Sequence, residues 1–149
     1  MSAKSEQAVE RFRKGFNCSQ TVLSVYAEEF GLCRETALKI ACGFGGGMGR
    51  MVRTCGVVTG AFMVLGLKYG NVNASDKHIK EKTYGLVREF ARRFEERNGS
   101  VICKELLGCD ISGPEGLKSA KDNGLFASVC PGLVRDAVEI LEEMLEKNS

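Results

Sequence analysis

Tryptophan is absent from the 149 residues, histidine occurs once and proline twice, and neither sign of charge dominates: 21 Lys and Arg face 19 Asp and Glu, a net charge of +2. Each scarcity excludes something. Balanced charge argues against a broad basic surface for nucleic acid or an anionic membrane. A single His78, read as an exposed helix residue, leaves no paired-histidine zinc site. The chain also lacks C-x-x-C and C-x-x-C-H, which removes the familiar structural zinc motifs and ordinary covalent haem attachment. Long apolar runs are missing too. The longest uncharged stretch, Thr54 to Leu67, has 14 residues, short of the ~18 needed to span a bilayer, and is read as a buried core helix. Met1 to Gln20 is polar and does not resemble a secretory signal, so the expected compartment is a reducing cytoplasm.

What the chain does have is helical periodicity, with no strict alternation long enough for a strand. The expectation is an all-α fold: one compact domain, residues 1–149, of about six to eight helices, with a glycine-rich loop before a buried central helix. Ser5 to Lys14 forms the first helix, ending at Gly15. Asn17 caps a second whose inner face is Val22, Leu23, Tyr26 and Phe30, and Gly31 stops it. Arg34 to Cys42 is the third. It runs into Gly43 to Gly49, where five glycines in seven positions make continued helix costly. Thr54 opens the central helix, Gly70 ends it, and Gly56 and Gly60 share a face that a neighbouring backbone can approach closely. The longest helix runs from Ser75 or Asp76 to about Arg97. Ser100 to Leu107 and Pro114 to Asp122 are short, and Pro131 begins the last, to Lys147.

Seven cysteines cannot all pair within one chain. On this map Cys18, Cys33, Cys55, Cys103 and Cys130 fall in or beside the first turn of a helix, where unsatisfied N–H groups and the helix dipole favour the thiolate. Lowering an ordinary thiol pKa of about 8.5 raises the nucleophilic fraction at neutral pH. The alternative for each cysteine is a small buried hydrophobe, the reading favoured for Cys42; Cys109 belongs to a loop. Arg50 and Arg53 lie close enough in sequence to make the surroundings of Cys55 electropositive. The glycine stretch matches neither G-x-G-x-x-G nor the P-loop, and no strand precedes it, so nucleotide binding is not expected.

Three segments carry a family likeness: Phe16-Asn17-Cys18-Ser19-Gln20, then Gly43 to Arg50, then Thr54-Cys55-Gly56-Val57-Val58-Thr59-Gly60, followed by Cys103 and Cys130. The chain resembles the C-GCAxxG-C-C family of redox-active proteins over nearly its whole length. The resemblance implies that Cys18, Cys55, Cys103 and Cys130 form the family's cysteine set, with Cys33, Cys42 and Cys109 as extras. The chain departs from the motif at Val57, where the family has alanine.

These readings lead to thiol/disulfide exchange, with Cys55 as the attacking thiolate and Cys18, Cys103 or Cys130 resolving the mixed disulfide. Such a protein would be a thiol-disulfide oxidoreductase with an unidentified redox partner and no obligatory cofactor. A metal or iron–sulfur cluster held by the same four cysteines is the first alternative. The second is a helical interaction module with inert thiols. A homodimer through Gly56 and Gly60 is a further option, although such glycines more often pack internally in a soluble chain.

Overall fold

The computed structural model describes residues 2–148. The all-α expectation holds: α1 (Ala3–Arg13), α2 (Cys18–Ala27), α3 (Arg34–Cys42), α4 (Gly56–Tyr69), α5 (Lys77–Asn98), α6 (Cys103–Leu107), α7 (Pro114–Asp122) and α8 (Leu125–Lys147) are joined by turns, with a short 3-10 turn at Glu28–Phe30. The only extended pairing among the described residues is one antiparallel bridge, Thr54 to Ile102. No helix among them is long and apolar enough to cross a membrane.

Side-chain capping fixes the starts of α1, at Ser2, and of α2, at Asn17. Asn17 accepts from the Gln20 N–H and the Gln20 side chain accepts from the Asn17 N–H, each at 3.0 Å, a reciprocal box that satisfies two orphan donors of α2. The same Asn17 donates from Nδ2 to the Cys42 carbonyl at 2.9 Å, so one side chain ties the start of α2 to the end of α3. Helices α2 and α4 pack backbone to backbone. A Cβ added at Gly60 would lie 2.9 Å from the Ser19 carbonyl oxygen, and one at Gly56 would lie 3.0 Å from the Ser19 N. The expected close approach at these two glycines is therefore internal, against α2.

Around them lies one apolar cluster. Tyr26, Val57, Val58, Val64, Leu65, Phe90, Phe94, Val134 and Leu141 are all almost fully buried in it. Phe90 stacks on Phe94 and meets Phe62 edge-on, with ring centroids 6.0 and 6.2 Å apart, geometries that add to simple area burial.

Between α3 and α4 the backbone turns left-handed. Gly46, Gly47, Met48, Gly49 and Arg50 all have φ between 60 and 68°, and Val52 follows at 56°. Glycine occupies this region freely, whereas an L side chain loses roughly 1–2 kcal/mol there; Met48, Arg50 and Val52 carry that cost. The turn is closed by hydrogen bonds from Val52 N to Gly46 O and from Arg53 N to Gly47 O, 3.3 and 3.0 Å.

Three helix starts beside the buried cysteines differ from the sequence reading, as does which helix is longest. Pro131 lies inside α8, which begins at Leu125. Proline lacks an N–H and suits a first helical turn, but the burial of Cys130, Pro131, Leu133 and Val134 on this helix holds it continuous. With that extension α8, at 23 residues, exceeds the 22 of α5. Helix α4 begins at Gly56 with Cys55 itself at the cap, and α6 begins at Cys103. The bridge between Thr54 and Ile102 takes the preceding residues of both segments into extended backbone.

Candidate functional site

Four elements deliver Cys18, Cys55, Cys103 and Cys130 to one place. Cys18 is the first residue of α2, behind the Asn17 cap. Cys55 caps α4. The bridge fixes Cys103 beside it: Cys55 N donates to Val101 O at 2.8 Å and Cys103 N donates to Arg53 O at 2.6 Å, so the two chain segments carrying these residues are pinned to each other. Cys130 comes from α8. It lies five positions beyond the first residue of that helix, and so the expected helix-start setting of Cys130 is replaced by one within the helix. All four are buried, and all four line a cavity of about 430 Å³.

Glycine provides the room for this meeting. A Cβ on Gly47 would fall 2.8 Å from Cys103 Cβ and 2.6 Å from Arg53 N; one on Gly56 would fall 3.1 Å from Cys18 Cβ. The left-handed turn thus passes against one cysteine, and the first turn of α4 against another.

The three remaining cysteines lie apart from this burial. Cys33 caps α3, is exposed, and has its sulfur 3.0 Å from Thr36 Oγ1. Cys109 is half-buried in the loop after α6, its thiol donating to Gly116 O at 3.4 Å. Cys42 corrects the sequence reading. Expected to be buried, it is exposed at the end of α3, on the outer side of the helical stripe formed by Ala37 and Ala41, and it too lines the cavity.

Three of the buried sulfurs divide electrostatically. Cys18 is held well above the ordinary thiol range, first by hydrogen bonding with Cys130, then by that with Cys55 and by burial. Cys55 moves the other way. Hydrogen bonding from Cys18 lowers it, overcoming the desolvation of a buried site, and the nearby N–H groups of Val57 and Val58 at the start of α4 lower it further. Cys103 is pushed up to about 12, chiefly by burial and then by negative charge on Cys55 and Cys130. The neighbouring thiol thus favours the Cys55 thiolate, while burial and like charge oppose ionisation of Cys18 and Cys103. The arginines play a different part from the one expected. Helix N–H groups and a neighbouring thiol, rather than Arg50 or Arg53, favour the Cys55 thiolate. Arg50 lines the cavity, whereas the Arg53 side chain is exposed and does not line it.

Leu106, Leu107, Ile111, Leu117, Phe126 and Leu133 add apolar side chains to the cavity wall, Lys121 lines it as well, and no Asp or Glu does. Sequence reasoning missed these residues, because they come from α6, α7, α8 and the loop between α6 and α7 with no motif among them; only their shared cavity distinguishes them. Among the described residues no group of three or more His, Cys, Asp or Glu side chains is arranged to hold a metal ion.

Neither curated proteins nor solved structures give a significant match to the chain. A family model does, spanning residues 16–144 and therefore all four buried cysteines, the left-handed turn and most of α8: the chain belongs to the family described as "Putative redox-active protein (C_GCAxxG_C_C)".

Proposed function

We propose that the protein is a thiol-disulfide oxidoreductase in which Cys55 is the attacking thiolate and Cys18 the resolving thiol, with Cys130 and Cys103 completing the cluster. The observation that carries this reading is the opposite displacement of Cys55 and Cys18 within one hydrogen-bonded pair. Exchange needs a thiolate on the attacking sulfur and a second sulfur near enough to displace the first product. Cys55 meets the first need by its cap position on α4 and by the Cys18 thiol. Cys18 meets the second as the neighbouring thiol that favours the Cys55 thiolate and lines the same cavity.

The test is timed alkylation of anaerobic, reduced protein with mass mapping of each cysteine. Among the four buried cysteines Cys55 is expected to be labelled first, and a mild oxidant is expected to protect Cys55 and Cys18 together. The exposed Cys33 and Cys42 serve as internal references for unhindered thiols. Equal, slow labelling of all four buried cysteines would sink the exchange reading in favour of inert core thiols. Shared protection that a chelator relieves would replace it with a metal centre.

A further inference from the structure

We infer that the cavity beside Cys55 is a binding site for a small, carboxylate-bearing organic disulfide with an apolar body. This deepens the exchange reading and rests on it for the chemical step, while the charge selectivity of the cavity stands on separate observations.

Size comes first. About 430 Å³ is within the range of small-molecule sites and far below what a folded partner's surface requires. Shape and polarity follow: aliphatic and aromatic side chains from α1, α6, α7 and α8 form the wall, with Phe12 and Phe126 among them. Such a wall favours an apolar body, because burial removes its surface from water. The charge is one-sided. Arg50 and Lys121 are the charged residues lining the cavity, both are exposed, and no carboxylate opposes them there. Two cations at an apolar cavity match an anionic group on a ligand whose remainder is buried.

The backbone adds an independent observation. Arg50 occupies a left-handed conformation, φ 64°, as Met48 and Val52 do in the same turn, and of these three it alone lines the cavity. Its side chain lies over the turn, since a Cβ on Gly46 would meet Arg50 Cγ at 2.8 Å. Arg50 thus reaches the cavity from a backbone conformation that the turn imposes, with its side chain laid against Gly46.

The sulfurs supply the reaction. The Cys55 thiolate attacks one sulfur of the ligand R–S–S–R; the ligand bond breaks, one R–S⁻ departs and a Cys55–S–S–R mixed disulfide forms. Cys18 then gives up its proton to the departed thiolate and attacks the Cys55 sulfur. That closes the Cys18–Cys55 disulfide and releases the second R–S⁻. Two electrons pass from the cysteine pair to the ligand, which is reduced to two thiols.

The experiment uses the full chain carrying Cys33→Ser, Cys42→Ser and Cys109→Ser, reduced and anaerobic, so that only the buried cysteines react. Two chromogenic disulfides of similar size are compared: dithiobis(nitrobenzoate), with a carboxylate on each ring, and the uncharged dithiodipyridine. The expected result is release of two chromophores for each Cys18–Cys55 disulfide formed. The anionic-to-neutral rate ratio is expected to fall roughly fivefold when Arg50→Gln and Lys121→Gln are combined, as two partly solvated charge contacts would give, and to fall with added salt. Arg53→Gln, outside the cavity, is expected to leave the ratio unchanged. Calorimetric binding of nitrobenzoate, which cannot exchange, reports the cavity alone. A ratio indifferent to Arg50 and Lys121 overturns the anionic substrate class while leaving exchange standing. Nitrobenzoate binding that depends on both cations, without reaction of Cys55 toward either disulfide, overturns the exchange reading and the disulfide class with it. Absence of both signals overturns the cavity as a binding site.

Discussion

An isolated thiol is only a few per cent ionised at neutral pH, and burial alone would reduce that fraction further. At Cys55 the balance is reversed by one neighbour, the Cys18 thiol, with smaller help from the N–H groups of Val57 and Val58. The consequence is measurable at a single residue. Cys18→Ala removes the donor and is expected to move the pH midpoint of Cys55 alkylation upward, whereas Cys18→Ser, which keeps a hydroxyl donor in nearly the same place, restores part of the displacement. A role for Cys18 limited to packing would leave the midpoint where it is in both variants. The direction also explains why Cys103 cannot serve as the primary nucleophile: its ionisation, pushed up to about 12 by burial and by the charges beside it, lies far above neutral pH.

At the scale of elements, the site depends on how closely α2 can approach α4. Gly60→Ala would put a methyl 2.9 Å from the Ser19 carbonyl oxygen and 3.1 Å from Val22 Cβ. One of the two helices must then shift, at a cost of about 1–3 kcal/mol. Gly66 lies on the exposed side of the same helix with nothing within 4 Å of its would-be Cβ, so Gly66→Ala is expected to stabilise by roughly 0.5–1 kcal/mol through backbone entropy and helix propensity. Opposite signs in urea unfolding would establish the packing role of Gly60; destabilisation by both would assign the effect to α4 as a whole. The close face was legible because Gly56 and Gly60 are four residues apart, and the start of α2 behind Asn17 was legible from capping chemistry. The glycine stretch was legible as a break in helix, although its left-handed course through Met48, Arg50 and Val52 was not. Those three residues defy their own backbone preference, and only the surrounding structure imposes it. Pro131 misled for the complementary reason, since a local rule placed it at a helix start while burial along α8 carried the helix through it. The apolar part of the cavity wall, assembled from α1, α6, α7, α8 and the loop at Ile111, left no local trace.

For the whole molecule, the fold confines thiols whose ionisation it opposes, and that sets the pH dependence of its stability. Cys18 and Cys103 are raised above the ordinary value of 9.0. As pH climbs past that value the unfolded chain releases both protons while the native chain keeps them. The unfolded state then binds fewer protons, so unfolding free energy falls with pH; for Cys103 this continues until about 12, where the native thiol also ionises. Cys55 acts oppositely. Its folded pKa is lowered, so its contribution is complete above the unfolded value and is lost as pH falls through the folded one. Two raised groups against one lowered give a net decline on the alkaline side. Urea midpoints of reduced, anaerobic protein are therefore expected to be lower at about pH 9.5 than at about pH 7.5, a window chosen below the ordinary range of tyrosine. Cys103→Ala removes one of the opposing thiols and is expected to flatten the decline, whatever it does to stability at neutral pH. An unchanged slope in that variant would mean that Cys103 ionises as readily in the fold as in the open chain, and that the cluster does not share its charge in the way described.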